Sequence, residues 1–589
     1  MTISTTEPSG TMKLKTALTI IIVCITAAVT SLEAKSILFR NGKTAYTIVT
    51  CSDASVSELT AAKELSTYLN SISGAEFPVV KEDEADLKGR HIFIGYSPAY
   101  GKDLQVDRPE DDFEGFRYCN VGKDIWIYGG KGRGTMYGVF SFLENELGVR
   151  WYASDCTKVP SLKVWGFEKL DVSERPAIRY RFTQYRNVER NPEWLAHNKN
   201  NSVWNACENQ YGGLSSYWNA HTFEQFVPSG KYFREHPEYF SLRDGERKPY
   251  TQLCLSNPEV LQICIEKMKE SIAANPLCWV YSMSQSDNQF PCQCENCRAI
   301  EKQYGGHSGL IIWFVNQVAD AIKPIYPDKY IGTFAYQYTR QAPKGIKPRD
   351  NVVIRLCSIE CCFAHSLEEC AHNRPFIDDI RKWSEIAPHL FIWDYVVNYR
   401  QYLAPFPNFQ VLADNIKTFR KYNAIGIQEE AQYQSFGGEF SDMKSWVIAK
   451  LLWNPELDTD ALTSEFISNY YGAAAPYVQK YFDLCRSLVK PDTVMGIYID
   501  HKNPLYTDEF IKEASSLIKA AVGSVKDEDE TIRHRVDLVR LQTEYLRIMR
   551  NPQETASDGT KEWFIDFVLK HGIRINEVTK TEKFVESLQ

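Results

Sequence analysis

Five segments between Cys278 and Glu430 repeat one pattern, and this repeat constrains the fold more than any other feature of the chain. Each segment is a short apolar run, rich in β-branched residues, whose end carries a carboxylate, an amide or an aromatic residue. Helical patterns such as Leu310–Ile325 and Phe409–Tyr422 lie between the runs. Alternating strands and helices predict βα units around a parallel sheet. The runs are Cys278–Gln285, Ile331–Tyr338, Val352–Ile359, Leu390–Trp393 and Ala424–Gln428.

This repeat predicts a (β/α)₈ barrel in which Ala424–Gln428 is the eighth strand. Counting backwards then places Asp287 after strand four, Glu360 after strand six, Asp394 after strand seven and Glu429 after strand eight. In such barrels the chemistry takes place where the strands end and the following loops begin. We therefore expect these carboxylates to converge on one pocket.

The chain is long enough for several domains, since 589 residues exceed what one hydrophobic core usually organises. The predicted fold class is α/β. Strand-like runs and two helices predict a small accessory α/β domain over residues 36–167. The barrel is expected over residues 175–471, and amphipathic patterns over residues 474–589 predict a C-terminal helical bundle.

The first 34 residues have the pattern of an export signal with an upstream extension. Met12 opens a basic segment, Ala17–Val29 is apolar, and Ala34 provides the small residue that cleavage requires. We expect cleavage near Ala34 and a protein that is periplasmic, at the cell surface or secreted. Lipidation at Cys24 is the alternative, although Val23 stands where a lipidation site needs a small residue. No later stretch predicts a membrane span.

The distribution of charge argues against a nucleic-acid partner. The net charge is −8 and is spread along the chain, whereas a nucleic-acid interface requires a basic face. Aromatic residues make up 13% of the sequence. Aromatic faces pack against the C–H faces of sugars, but large cores use the same residues. Both explanations stay open for any single aromatic residue.

One group of cysteines stands out among the sixteen in the sequence. Cys292, Cys294 and Cys297 form a C-x-C-x-x-C motif directly after Asp287. Thiolates at this spacing can bind zinc, with His307 or a distant cysteine as a fourth ligand. The alternative is a set of buried thiols, with or without a disulfide, that braces the Asp287 loop. We expect bracing without a metal, and we predict no cofactor.

Several distinctive motifs resemble known carbohydrate-active proteins. Arg133–Gly138 and Glu144–Trp151 resemble the end of the accessory domain of α-glucuronidases and β-N-acetylhexosaminidases. Six barrel motifs resemble the domain of unknown function 4838, a family that includes glycoside hydrolase family 163. The resemblance covers about residues 40–480 and implies an endo-β-N-acetylglucosaminidase-like hydrolase. The six motifs are His236–Phe240, Gln252–Pro258, Cys292–Cys297, Ile359–His365, Pro405–Phe409 and Ala449–Pro455.

The catalytic candidates follow from the chemistry that this resemblance implies. Glycoside hydrolysis requires an acid that protonates the leaving oxygen and a second carboxylate that acts as nucleophile or base. Asp287, Glu429 and Glu360 are candidates because each follows a β-type run. Barrel glycosidases of the β-N-acetylhexosaminidase type often carry an acidic pair after strand four, whereas this chain has Asp287 and Asn288 there, so the identity of the acid stays open among Asp287, Glu360 and Glu429. A salt bridge or a helix cap at the barrel rim is the alternative for each carboxylate.

Substrate-binding candidates are polar and aromatic residues at or near the strand ends. His221 ends an early strand, where it could bind a sugar hydroxyl or be a satisfied core histidine. The aromatic members could stack on sugar faces or belong to the core. The full set is His221, Asn288, Trp204, Trp393, Asp394, Tyr395 and Glu430.

Two classes of function remain. The first is an exported glycoside hydrolase acting on N-acetylhexosamine-containing glycans or, like an α-glucuronidase, on uronic acids. The second is a carbohydrate-binding barrel protein without catalysis. Two carboxyl groups about 5–10 Å apart in one cleft favour the first class, and carboxylates each tied to Arg or Lys favour the second. We predict that Asp287 and Glu429 face the same cleft from opposite walls of the barrel.

Overall fold

The structure of the protein is a computed structural model. The export signal expected up to Ala34 lies outside its described residues. Among the helices that are described, none is both long and apolar enough to cross a lipid bilayer. The described residues are 36–86, 88–97, 110 and 113–588.

The chain divides into two compact units. The first comprises the described residues up to Val149 together with Val159–Glu174. The second comprises Arg150–Lys158 and everything from Arg175 onwards. The barrel and the C-terminal helices therefore belong to one compact unit.

The first unit is a mixed sheet of six strands with two helices. The helices Val56–Ser73 and Gly134–Leu147 end at Gly74 (φ 70°) and Gly148 (φ 76°). These left-handed conformations suit glycine and satisfy carbonyl groups of the last helical turn. A smaller sheet contains Val164–Phe167, Ser36–Arg40 and Lys43–Thr44. In spatial order the larger sheet contains Asp171–Glu174, Phe116–Val121, Asp124–Gly129, Arg90–Ile94, Tyr46–Thr50 and Val79–Lys81.

Seven parallel strands form the central sheet of the second unit. They consist mainly of apolar and β-branched residues; all six residues of Val352–Cys357, for example, are buried. Such runs are typical of parallel strands that helices cover from outside. In spatial order the strands are Tyr180–Gln184, Ala424–Glu430, His389–Tyr395, Val352–Cys357, Tyr330–Ala335, Val280–Ser282 and Tyr217–Trp218.

Residues 201–203 lie between the two edges of this sheet. The N–H groups of Asn201 and Ser202 donate to the carbonyl of Arg181 in the first strand, at 3.4 and 3.2 Å. Close to the strand at the other edge, the N–H of Ser215 donates to the carbonyl of Asn201 at 2.9 Å. This segment therefore supplies the second barrel position as a short bridge. The predicted barrel architecture is confirmed, with seven regular strands rather than eight.

Helices cover the barrel and form the C-terminal region. Pro258–Ala274 shows why they begin where they do, because Asn257 accepts from the first N–H groups and Pro258 occupies the first turn. Two small hairpins pair Arg150–Ala153 with Cys156–Lys158 and Leu242–Arg243 with Glu246–Arg247. The other helices are Pro192–His197, Phe223–Phe226, Ser229–Tyr232, Glu295–Tyr304, His307–Ile322, Arg374–Ile386, Phe409–Lys421, Ser441–Trp453, Thr459–Tyr470, Ala475–Arg486, Asp508–Ser524, Glu530–Arg550, Pro552–Ser557, Thr560–His571 and Thr581–Leu588.

Candidate active site

A cavity of about 400 Å³ opens at the carboxyl-terminal end of the barrel. This is the end at which enzymes with this fold carry out their chemistry. The strands contribute to the cavity with residues at or near their last positions. The lining residues are Gln184, Trp204, Asn219, Ala220, His221, Asp287, Phe334, Tyr336, Cys357, Ile359, Trp393, Tyr395, Tyr399, Glu430, Tyr433, Ile497, Tyr498 and Glu577.

Three carboxylates line this cavity, namely Asp287, Glu430 and Glu577. None of the ion pairs between described residues ties one of them to Lys or Arg, and no Lys or Arg is among the described lining residues. The cavity is therefore acidic. The sequence predicts a catalytic role for Asp287 and substrate binding for Glu430, and it predicts no role for Glu577.

Glu430 is the most buried of the three, with 7% of its surface exposed. It ends the strand Ala424–Glu430, and its Oε2 accepts a hydrogen bond from Trp393 Nε1 at 2.6 Å. Burial raises the pKa of Glu430 to about 8, the Trp393 bond opposes this rise, and the charge of Glu577 adds to it. Burial disfavours the charged form of a carboxyl group, so Glu430 holds its proton at neutral pH.

Asp287 is exposed, on the loop that follows the strand Val280–Ser282. The hydroxyl of Tyr336 donates to Asp287 Oδ1 at 3.2 Å. The amide of Gln252 holds the loop on both sides of Asp287. Its Nε2 donates to the carbonyls of Ser286 and Asn288, each at 2.7 Å, and its Oε1 accepts from the N–H of Ser286 at 2.9 Å. Hydrogen bonds between the Gln252 side chain and the backbone on either side of Asp287 therefore hold the loop that carries this carboxylate.

The structure corrects the expectation that Glu429 faces the cleft. Successive side chains of a strand point to opposite faces. Gln428 points into the barrel, where its Nε2 donates to Gln184 Oε1 at 2.5 Å, and Glu430 lies on the same face. Glu429 therefore points to the other face; it is 1% exposed and does not line the cavity. Burial, with the charge of Asp394 as a second cause, raises its pKa well above the ordinary range.

Asp394 likewise lies outside the cavity. It pairs in register with Glu429 on the neighbouring strand and accepts a hydrogen bond from the hydroxyl of Ser358. Burial raises the pKa of Asp394 to about 6. Asp394 and Glu429 thus form a buried pair of carboxyl groups behind the strands, where they have no access to a substrate in the cavity.

Two further candidates make structural contacts instead of lining the cavity. Glu360 Oε2 accepts from Arg340 Nη1 at 2.5 Å, and Arg340 Nε also donates to Asp379 at 2.8 Å. Glu360 therefore forms a salt bridge with Arg340, which is the alternative to a catalytic role that the sequence left open. Asn288 Oδ1 accepts from the N–H of Phe290 at 3.1 Å, which stabilises the loop after Asp287.

Aromatic residues form one wall of the cavity. The rings of Trp204 and Trp393 lie 5.7 Å apart, and Phe334 packs edge-on against Trp393 at 5.6 Å. Tyr395 also lines the cavity, so all three predicted aromatic residues lie at its wall. Flat apolar faces of this kind can pack against the C–H side of a pyranose.

His221 lines the cavity from a strained turn. It has φ 52° and Asn219 has φ 62°, a left-handed conformation that non-glycine residues rarely adopt. His221 Nδ1 lies 2.9 Å from the carbonyl of Gln285, which can only accept, so Nδ1 carries a proton. Nε2 is then left to contact a ligand. Outliers of this kind are frequent at functional sites.

Arg355 lies fully buried inside the barrel and was not identified from the sequence. Its guanidinium stands 4.0 Å from the ring centre of Tyr217 and 4.3 Å from that of Trp393, and Nη2 donates to Gln428. Burial lowers the pKa of Arg355 to about 10. Its positive charge opposes the rise in the pKa of Glu430.

Several lining residues come from parts of the chain to which no site residue had been assigned. Glu577 lies between the helices Thr560–His571 and Thr581–Leu588, and its Oε1 accepts from the hydroxyl of Tyr433 at 3.2 Å. Tyr498 lies after the helix Ala475–Arg486. No motif or periodicity distinguishes these positions, because they reach the cavity only through tertiary folding.

The barrel region matches a known family. Residues 151–483 match the family model described as Domain of unknown function (DUF4838). The chain belongs to this family. The match spans more than half of the chain, and it confirms the family that the barrel motifs had indicated. No curated protein matches the chain by sequence.

The solved structures that this chain matches include glycoside hydrolases. One is a family GH115 4-O-methyl-α-glucuronidase, BtGH115A, with specificity for decorated arabinogalactans. It is 12% identical with a TM-score of 0.56, and the match covers 91% of this chain and 77% of that one. Another is the Flavobacterium johnsoniae chitobiase FjGH20, 10% identical with a TM-score of 0.46 over 94% and 97% of the two chains. The first likeness shows a shared fold, and fold alone does not determine activity.

Proposed function

We propose that the protein is a glycoside hydrolase in which Glu430 is the general acid and Asp287 the second carboxylate. The observation that carries this proposal is the environment of Glu430. It lies in the cavity at the carboxyl-terminal end of the barrel, and burial holds its pKa at about 8. A carboxyl group that keeps its proton at neutral pH can donate it to a leaving oxygen.

The contacts of each carboxylate fit its proposed role. Trp393 engages Glu430 Oε2, so the other oxygen can present its proton to the glycosidic oxygen. Asp287 lies in the exposed part of the same cavity, where Tyr336 orients it. From there it acts on the anomeric carbon as nucleophile, or as base on an attacking water, and the separation of the two carboxyl groups determines which.

The lining favours a neutral sugar over a uronic acid. Asp287, Glu430 and Glu577 make the cavity acidic, and no Lys or Arg among its described lining residues offers a partner for a uronate. Recognition of a carboxylate normally uses such a cation. We therefore propose an N-acetylhexosamine-containing glycan as substrate, as the resemblance to endo-β-N-acetylglucosaminidases implies, with the pyranose against Trp204 and Trp393.

The alternative is a carbohydrate-binding protein without catalysis. That hypothesis requires carboxylates committed to structural ion pairs, as Glu360 is to Arg340. Asp287 and Glu430 instead accept hydrogen bonds from Tyr336 and Trp393 and form no ion pair with a described Lys or Arg. The aromatic wall serves both hypotheses and does not distinguish them.

An activity screen of the full chain tests the proposal. The substrates are N-glycans, chitooligosaccharides and aldouronic acids, with released reducing ends as the measured quantity. We expect cleavage of at least one N-acetylhexosamine-containing substrate and none of the aldouronic acids. Cleavage of aldouronic acids alone would support the α-glucuronidase alternative. Binding of glycans without any cleavage would support the non-catalytic one.

A further inference from the structure

Four cysteine side chains from two separate segments converge beside the barrel. Cys254, Cys292, Cys294 and Cys297 have sulfur atoms that all lie within 4.8 Å of one another. The Sγ of Cys254 is 3.6 Å from that of Cys294 and 3.9 Å from that of Cys297. Four thiolates around Zn²⁺, with Zn–S bonds of about 2.3 Å, stand about 3.8 Å apart at the corners of a tetrahedron. We propose that these four cysteines bind a structural zinc ion.

The surroundings of the sulfur atoms suit thiolates. The N–H of Leu242 donates to Cys292 Sγ at 3.4 Å, and Arg247 Nη1 does so at 3.6 Å. The N–H of Cys297 donates to Cys294 Sγ at 3.5 Å, at the start of the helix Glu295–Tyr304. Donors of this kind are typical around metal-bound thiolates. Arg247 also offsets part of the −2 net charge of a zinc ion bound by four thiolates.

The geometry favours a structural metal site over disulfides and over a catalytic site. Sulfur atoms joined by a disulfide stand about 2.05 Å apart, much closer than the 3.6 Å between Cys254 and Cys294. All four cysteines are buried, with exposures from 0% to 9%. Four protein ligands leave no open position for a substrate, which is the arrangement of structural zinc sites. When zinc binds, four thiols release four protons to solvent and four Zn–S bonds form.

The position of Cys254, the fourth ligand, indicates which part of the chain a zinc ion would hold in place. Cys254 lies two residues after Gln252, whose amide brackets Asp287 through Ser286 and Asn288. The zinc ion connects the segment that contains Gln252 and Cys254 to the segment Cys292–Cys297, which follows the Asp287 loop. The site thus holds the segment after the Asp287 loop and, through Gln252, the residues on either side of Asp287. The metal site itself does not depend on the proposed function, whereas a role in positioning Asp287 for catalysis rests on it.

Metal analysis of the full chain, purified without chelator, tests this proposal. We expect about one zinc ion per chain, because these cysteines are the only four-membered group of possible ligands among the described residues, and structural zinc sites use four protein ligands. The variant Cys254→Ser should lose most of the zinc. The matched control Cys264→Ala should keep it, because Cys264 is buried in the helix Pro258–Ala274 and is not a member of the cluster. Replacement of zinc by Co²⁺ in the wild type should produce the thiolate-to-cobalt charge-transfer absorption.

A second measurement covers the case in which Cys254→Ser does not fold. Native wild-type protein is treated with an alkylating reagent, with and without prior chelation, and peptides are analysed by mass spectrometry. We expect the four cysteines to be protected before chelation and alkylated after it, without any reductant. Chelation should also lower the melting temperature of the wild type and of Cys264→Ala.

Two results would overturn the proposal. One is metal-free protein whose intact mass is lower by two hydrogens for each disulfide among these cysteines. The other is metal-free protein with four free thiols, which would restore the expectation of thiols that brace the loop without a metal. If zinc is present but removal leaves activity unchanged, the metal site stands and its role in positioning Asp287 fails.

Discussion

The indole N–H of Trp393 donates to Glu430 Oε2 at 2.6 Å, across two neighbouring strands of the barrel. One end of this tryptophan therefore orients the proposed proton donor, while its ring belongs to the aromatic wall. In the proposed mechanism, a sugar stacked on the wall would lie at a fixed distance from the carboxyl group. Trp393 would then couple substrate binding to proton transfer.

Replacing either proposed carboxylate by its amide should abolish most of the hydrolysis. Glu430→Gln and Asp287→Asn keep the shape of the side chains but remove the acid and the charge. We expect kcat/KM to fall about 10²-fold or more in each variant, the contribution of proton transfer by a positioned side chain. Glu360→Gln is the matched control, because Glu360 pairs with Arg340 outside the cavity, and it should retain activity. Near-normal turnover by both Glu430→Gln and Asp287→Asn would contradict the proposal.

Activity should decline as the pH rises through about 8. Glu430 acts in its protonated form, and its pKa is raised to about 8 by burial, so the active form is lost above that value. Two variants should move this descending limb of the pH–rate profile in opposite directions. Trp393→Phe removes a hydrogen bond that lowers the pKa and should shift the limb to higher pH. Glu577→Gln removes a negative charge that raises the pKa and should shift it to lower pH.

The pH profile of kcat/KM measures these shifts independently of the absolute rates. Loss of stacking in Trp393→Phe changes the height of the profile, whereas the position of the limb reports the pKa. If neither variant moves the limb, a group other than Glu430 controls it.

The titration of Glu430 should also make the free energy of unfolding depend on pH. Its pKa lies near 8 in the folded protein, whereas an unperturbed glutamate has a pKa of about 4.3, so folding takes up a proton between these values. The contribution of Glu430 to the free energy of unfolding therefore falls as pH rises across this interval, by up to about 1.4 kcal/mol per pH unit. Relative to Glu430→Gln, the wild type should lose stability from about pH 5 to 8. Parallel curves in urea unfolding would show that Glu430 is not the titrating group.

The mature protein should begin near Lys35. The basic segment after Met12 and the apolar Ala17–Val29 predict recognition by the export machinery, and the cleavage site is expected at Ala34. Mass spectrometry of the N-terminal peptide of protein exported by a host cell checks this. An acylated N-terminus at Cys24 would instead show a lipoprotein.

The barrel could be predicted because its strands and helices carry local signals. The helix predicted over Phe409–Tyr422 forms as Phe409–Lys421, and Ala424–Gln428 lies within the strand Ala424–Glu430. The second barrel position has no such signal, because residues 201–203 are a polar bridge too short for alternation to be visible. Their place is determined by hydrogen bonds to both edges of the sheet.

Which carboxylates face the cavity is harder to predict from the sequence, because a shift of one residue along a strand turns a side chain to the opposite face. The sequence locates the end of the eighth strand but not which of Glu429 and Glu430 faces the cavity. Three buried partners decide this, since Gln428 and Trp393 place Glu430 inside while Asp394 lies beside Glu429. Cys254, 38 positions before Cys292, joins the cysteine cluster only in three dimensions.

Glu577 brings a carboxylate to the cavity from a part of the chain outside the family match. It lies beyond residues 151–483, the part that matches the family model, whereas Asp287 and Glu430 lie within that part. In the proposed hydrolase, a substitution at Glu577 would therefore change both the charge that a glycan meets and the pKa of the proton donor, while the matched residues stay intact. Exchange of the C-terminal segment is then a route to a new pH optimum as well as to a new specificity.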